Sequence, residues 1–166
     1  MALILMKALT FCHDKRFTTP DKAFIYEEIL RLMKPFNMHR VPSLEMPELE
    51  LDKFFLAIID GNIVGAAGYK MISDTEGKTT LMAVDPKYSG QGIGLELQRM
   101  RMNEMKTLGA TSIVTNADRP KSIAWYKKHF GYQEVGTIPK IHSFGWEGVD
   151  HWTTLKTTDF SLEAAP

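Results

Sequence analysis

Between Leu81 and Gly94 the chain reads Leu-Met-Ala-Val-Asp-Pro-Lys-Tyr-Ser-Gly-Gln-Gly-Ile-Gly, and its hydrophobic period changes across that stretch. Upstream, short apolar runs are separated by tight turns. Phe54–Ile59 ends in Asp60-Gly61, a second run covers 62–73, a polar turn spans 74–78, and 79–84 stops at Asp85-Pro86. Strands joined this closely form an antiparallel meander, because a parallel crossover needs a dozen residues or more. Downstream the period becomes helical. Over 92–108, Ile93, Leu97, Met100 and Leu108 fall broadly on one side, with Gly109 as C-cap. A β-branched strand follows at 111–115, then a short helix Pro120–Phe130 closed by Gly131, then strands at 132–137 and His151–Thr157. A meander that gives way to helix, strand, helix and strands predicts an α+β fold, a mixed and mostly antiparallel sheet flanked by helices.

The N-terminal third is less sharply patterned. Residues 2–11 read as a strand. Thr19-Pro20-Asp21 opens a helix that runs to about Pro35, with Phe24, Ile25, Ile29, Leu32 and Met33 as its apolar stripe. Residues 37–52 carry Pro42 and Pro47 and read as a loop with one helical turn around 45–51. A length of 166 residues suits a single domain covering 1–166.

Composition narrows the partners. Hydrophobic residues make up 44% and charged residues 24%, which argues for a globular chain rather than a disordered one. Twenty basic residues balance twenty acidic ones, so no cationic excess is available for a nucleic acid backbone. Cys12 is the one cysteine, which rules out an intrachain disulfide and a cysteine zinc site and fits a reducing, cytoplasmic setting. Five histidines without paired spacing predict no metal site. The apolar start lacks a basic n-region, and no apolar run approaches the ~18 residues of a membrane helix, so no membrane association is expected.

Gly90, Gly92 and Gly94 alternate between a strand and a helix. Glycine allows positive φ and close approach of a ligand to the backbone, and the first turn of the helix offers unpaired N–H groups and the positive dipole end. Together these form a cradle suited to a pyrophosphate. The dinucleotide fingerprint fails, because position 95 is Leu95. The P-loop fails too, because no Gly-Lys-Ser/Thr follows.

The stretch Ser89-Gly90-Gln91-Gly92-Ile93-Gly94 resembles the Arg/Gln-x-x-Gly-x-Gly/Ala signature of the GNAT superfamily of acyl-CoA-dependent N-acyltransferases. Gly92 and Gly94 match the required glycines, while Ser89 stands where the family has Arg or Gln. Leu81–Pro86 is similar to the family's fourth strand and its exit. A second match is Thr115-Asn116-Ala117, followed by a helix with Tyr126 and then Gly131-Tyr132. The spacing from Tyr126 to Gly131 is one residue longer than usual, and Tyr132 replaces the usual Phe. The resemblance covers about residues 54–135, and it implies a GNAT-like acyl-CoA N-acyltransferase fold.

It also implies a site. Strands 81–84 and 111–115 should splay, so that the pantetheine arm of acetyl-CoA bonds to the backbone in the manner of an added strand. Met82, Ala83 and Val84 would line that arm, and the Val84 N–H would steady the thioester oxyanion. Ser89, Gly90, Gln91, Gly92, Ile93 and Gly94 would wrap the pyrophosphate, and Asn116 would bond the pantetheine amides. Tyr126 would be the general acid for the departing thiolate. The expected activity is N-acetyl transfer from acetyl-CoA, as co-substrate, directly to a primary amine. The acceptor is expected to be a small molecule, although a protein amine stays open.

The base that neutralises the amine is not singled out. Glu45, Glu48, Glu50, His142 and His151 are candidates, each with an ordinary surface role as the alternative. Lys127-Lys128-His129 reads as a solvated face, and Met100, Met102 and Met105 as adaptable core. Phe144 and Trp146 either line the acceptor pocket or cap the core. A non-catalytic acyl-CoA-binding domain on the same fold is the competing reading, because fold does not fix function. Both a monomer and a homodimer are compatible with the sequence.

Overall fold

A computed structural model describes residues 2–18, 21–43, 46–142 and 144–161. The expectations at Thr19, Pro20 and Glu45 therefore lie outside the described residues. Seven strands form one mixed sheet: β1 Leu3–Lys7, β2 Phe54–Ile59, β3 Asn62–Met71, β4 Glu76–Val84, β5 Ser112–Ala117, β6 Gln133–Pro139 and β7 His151–Thr157. Their order is β1-β2-β3-β4-β5-β7-β6. The pairs β1–β2, β2–β3, β5–β7 and β6–β7 are antiparallel and β4–β5 is parallel, so the α+β expectation holds. The helices are α1 Ala8–Phe11, α2 Lys22–Met33, α3 Ile93–Thr107 and α4 Pro120–Phe130. No helix among the described residues is long and apolar enough to cross a membrane.

Two compact units are distinguished, and β3, β4 and α3 contribute residues to both. The first comprises the chain up to Gly68 together with Leu81–Arg101. Its hairpin β2–β3 turns at Asp60 and Gly61, whose φ values of +52° and +79° suit a two-residue primed turn. All six residues of β2 are buried, which explains why its sequence is a continuous apolar run without alternation. Asp21 caps α2 by accepting the Phe24 N–H at 2.8 Å. Ile25, Ile29, Leu32 and Met33 are buried, but Phe24 is 51% exposed. One residue turns a helix by about 100°, which carries Phe24 off the stripe that begins at Ile25.

The N-terminus departs from expectation. Residues 2–11 are not one strand: β1 ends at Lys7 and α1 follows at once, burying Ala8 and Phe11. A run apolar at nearly every position has no period by which to tell strand from helix. The helical turn expected around 45–51 is a 3₁₀ turn at Leu51–Lys53.

The second unit comprises Tyr69–Thr80 and the chain from Met102 onward. Here β4 begins at Glu76, inside the stretch read as a polar turn. Gly77 lies inside that stretch. A Cβ at Gly77 would collide with the Met105 sulfur, so this glycine marks a close helix-on-strand approach, not a turn. At the end of α3, the Ala110 N–H reaches back to the Met105 carbonyl at 2.9 Å around Gly109, whose φ is +108°. That reversal leaves Leu108 47% exposed, outside the apolar face assigned to it. Helix α4 has the expected bounds, with Pro120 in its first turn and Gly131 left-handed at its end. Strand β6 is the outer strand, and all seven of its residues are exposed.

Candidate functional site

In the first unit, Leu81 and Ala83 of β4 are buried while Met82 and Val84 are half-buried on the other face. The strand exit is held in place. The Asp85 N–H donates to the Val64 carbonyl at 2.8 Å, and the Asp85 carboxylate accepts the Lys87 N–H at 3.0 Å. Arg31 of α2 lies 3.5 Å from that carboxylate, bonds Glu28, and donates to the Ile63 carbonyl at 3.0 Å. Glu28 first, and Asp85 less, hold the Arg31 guanidinium above its ordinary pKa.

A 3₁₀ turn at Pro86–Tyr88 then leads through Ser89 to Gly90 and Gly92, both at φ +79°. A Cβ at either glycine would meet nothing within 4 Å. Left-handed backbone, not crowding, therefore requires glycine here, and the space beside it is open to a ligand. The first helical bond of α3 is Glu96 N–H to Gly92 carbonyl at 3.2 Å. The N–H groups of Ile93, Gly94 and Leu95 thus belong to the turn with no intrahelical acceptor, at the positive end of the dipole. The residues present fit a phosphate-bearing ligand.

The second unit holds the other two predicted site residues. Asn116 is half-buried on β5 and its Oδ1 accepts the Thr154 hydroxyl at 2.7 Å, which fixes the amide on the sheet. Tyr126 on α4 is 8% exposed, with its ring edge-on to Trp125 at 5.0 Å and to Tyr132 at 5.1 Å. The structure thus gathers Met82, Ala83, Val84 and Ser89 to Gly94 in one unit, and Asn116 and Tyr126 in the other.

The base candidates do not gain from the structure. His142, Glu48 and Glu50 are exposed, and His151 is engaged at the surface with Asp150 at 3.0 Å. Lys127 pairs with Glu134 at 2.9 Å on an exposed face, as expected of a solvated surface. Met102 and Met105 are core and Met100 is half-buried. Phe144 is buried and Trp146 is 43% exposed.

Three polar features were missed. Arg101 of α3 is fully buried. It donates to Gln98 Oε1 at 2.6 Å and to the Gly68 carbonyl at 2.9 Å, with the Leu81 carbonyl at 3.5 Å. Its signal was helical spacing: Gln98 and Arg101 share the buried face with Leu97 and Met105, where a charge is not expected. Lys140 and Asp118 form a buried ion pair at 2.9 Å under the β6–β7 loop, and their separation in sequence gave no signal. Glu76 receives Lys156 Nζ at 2.9 Å and the Ser112 hydroxyl at 2.8 Å.

That last cluster sets a pH expectation. The Lys156 and Ser112 hydrogen bonds hold the Glu76 carboxyl below its ordinary value. A depressed carboxyl contributes stability that is present above the unfolded-state pKa and lost as pH falls through the folded one. Glu76→Gln should therefore cost stability near neutrality and converge with wild type in acid, below the ordinary carboxyl range. Urea unfolding at both pH values checks it, and equal losses at the two would show the pairing to be inert.

Residues 24–132, well over half of the chain, match the family model of the Acetyltransferase (GNAT) family. An amino-acid acetyltransferase of Shewanella oneidensis is 26% identical over 117 residues, 68% of this chain but only 26% of that longer relative. This chain thus spans about a quarter of the relative's length. The Escherichia coli ribosomal-protein-S18-alanine N-acetyltransferase superposes with a TM-score of 0.66 at 14% identity, covering 93% of this chain and 92% of that one. The protein yncA from Salmonella typhimurium, solved with its cofactor acetyl-CoA, superposes with a TM-score of 0.65 at 15% identity over 100% and 98%. At such identities the two superpositions speak for the fold. The family model, which covers more than half of the chain, places it in the Acetyltransferase (GNAT) family.

Proposed function

We propose that the protein transfers the acetyl group of acetyl-CoA to the primary amine of a small acceptor, directly and within one ternary complex. The observation that carries this is the pair of left-handed glycines, Gly90 and Gly92, with open space at both and a helix N-terminus behind them. Family membership supports acetyl transfer, and the acetyl-CoA bound by the yncA protein supports the co-substrate. The name of the Shewanella relative favours an amino-acid-like acceptor, whereas that of the Escherichia coli neighbour points to a protein amine.

In this reading the whole described chain works as one acetyltransferase domain of the cytoplasm, and acetyl-CoA brings an activated acyl thioester to it. The backbone of Met82, Ala83 and Val84 holds the pantetheine arm, with the Val84 N–H facing the thioester oxygen. The N–H groups of Gly90 to Gly94 hold the pyrophosphate. Ser89, shorter than the Arg or Gln of the family signature, leaves that task to the backbone and to Gln91. Asn116, whose carbonyl end is committed to Thr154, offers its NH₂ end to a pantetheine carbonyl. Tyr126 holds a proton at its hydroxyl for the departing sulfur. Cys12 is buried in the first unit's core, which supports direct transfer without an acyl-cysteine.

Acetyl-CoA at ~100 times its dissociation constant should stabilise the wild type by about 2.7 kcal/mol, with NAD and ATP far less effective. Gly92→Val should abolish most of that gain, because a β-branched residue is strained at positive φ and fills the open space. Thermal shift with and without each nucleotide measures both. An undiminished acetyl-CoA shift in Gly92→Val, or a wild-type shift no larger than that from ATP, would overturn the assignment.

A further inference from the structure

Two lysines of the second unit share one sheet face. The Ile72 N–H bonds the Glu76 carbonyl at 2.9 Å where β3 turns into β4. Counting two residues in from each end of that bond along the neighbouring strands brings Lys70 opposite Lys78, and the Lys70 charge acts on Lys78. Facing residues of antiparallel strands lie about 5 Å apart at Cα, and like charges so placed repel. Burial, and then the charge of Lys70, pull the Lys78 ammonium down from its ordinary pKa.

No carboxylate among the described residues relieves the pair. Glu76, two residues before Lys78 and on the same face, is spent on Lys156 and Ser112. The β4–β5 register sets Lys78 beside Val114, and the β5–β7 register sets Val114 beside Lys156. Three lysines therefore lie in one row across four strands, against a single carboxylate. The next row on this face brings exposed Thr80 and the Asn116–Thr154 pair. A half-buried face with two like charges and no counter-ion is a ready seat for an anionic ligand.

We propose that Lys70 and Lys78 form a carboxylate-binding site, each ammonium taking one oxygen, and that the carboxylate is carried by the acceptor. The acceptor is then an amine that also bears a carboxylate, such as an amino acid. Only the source of that carboxylate rests on the acetyl-transfer reading; the anion site stands on the lysines themselves.

The test is titration of ¹⁵N-labelled full-length protein with N-acetylglycine and with N-acetylglycinamide, which differ only in the carboxylate. N-acetylglycine should shift the backbone signals of Lys70 and Lys78 and bind at least about tenfold more tightly than the amide. Lys70→Met and Lys78→Met should each erase that preference. Lys70→Glu should erase it too while raising the melting temperature, because it supplies an internal partner for Lys78. All three variants remove repulsion and should stay folded. Equal binding of the two probes, a preference retained in both Met variants, or shifts confined to other residues would overturn the proposal. Inorganic phosphate binding tenfold more tightly than N-acetylglycine would overturn the choice of carboxylate. An acetyl-CoA thermal shift on the same samples separates the two readings. Its absence would sink acetyl transfer and not the anion site, whereas a normal shift with no carboxylate preference would sink the site alone.

Discussion

Tyr126→Phe is expected to lower turnover by about 10²–10⁴-fold while leaving acetyl-CoA affinity nearly unchanged. The variant keeps the ring, and so keeps the edge contacts to Trp125 and Tyr132 that fix its position on α4. What it removes is the one proton donor on that ring. A hydroxyl that serves the departing sulfur acts only once the thioester bond is breaking, so its loss should appear in kcat and not in the binding of acetyl-CoA. Because a thiolate of intrinsic pKa near ~8.5 on the cysteine scale leaves fairly readily, the lower end of the range is the expected one. The measurement requires an acceptor for which chemistry limits the rate. Wild-type turnover per folded molecule in Tyr126→Phe would refute the general-acid role and leave the fold and the glycine loop untouched.

Lys140→Met is expected to destabilise the protein by about 3–5 kcal/mol, as breaking one side of a buried ion pair does. Lys140 Nζ donates to Asp118 Oδ2 at 2.9 Å and to the Phe144 carbonyl at 2.8 Å, and sits 4.7 Å over the Trp152 ring. Asp118 Oδ2 also accepts the Trp146 N–H at 2.6 Å. Removing the ammonium leaves the Asp118 carboxylate and the Phe144 carbonyl without their shared donor. The side chains are only 5% and 9% exposed, so solvent cannot substitute. Lys127→Met, which breaks the exposed pair with Glu134, is the control and should cost about 0–1 kcal/mol. Urea unfolding of the two variants compares them directly, and similar small losses would show that the loop does not depend on its buried pair.

What the sequence made legible has a common physical character. Asp60-Gly61, Gly109, Pro120 and Gly131 mark element ends because their backbone preferences act within a few residues. The Gly90–Gly92 cradle was legible for the same reason: its geometry is stored in the glycines themselves. Contacts made by distant partners were not legible. The polar stretch 74–78 reads as a turn throughout because nothing near Gly77 in sequence announces Met105. Phe24 and Leu108 looked buried because a helical period fixes a stripe only to within about one residue on either side. The Asp118–Lys140 pair answers to tertiary geometry that composition averages away, and Arg101 was signalled only by the helical spacing it shares with Leu97 and Met105. Asn116 and Tyr126 entered through likeness to a family, and neither would have stood out by itself.

Strand β6 lies at the rim of the sheet with all seven residues exposed, among them Val135 at 58% and Ile138 at 47%. A bare rim of this kind invites another chain to continue the ladder, and with it aggregation. Three local features oppose that here. The pairing with β7 slips by one residue between Glu134 and Gly136, which bends the rim around Val135. Glu134 puts a charge beside the apolar side chains, and Pro139 ends the strand without an N–H to offer. The protein can therefore keep apolar side chains on its outermost strand and still resist being copied edge to edge. Any pairing of two molecules through this rim would first have to straighten the slip at Val135.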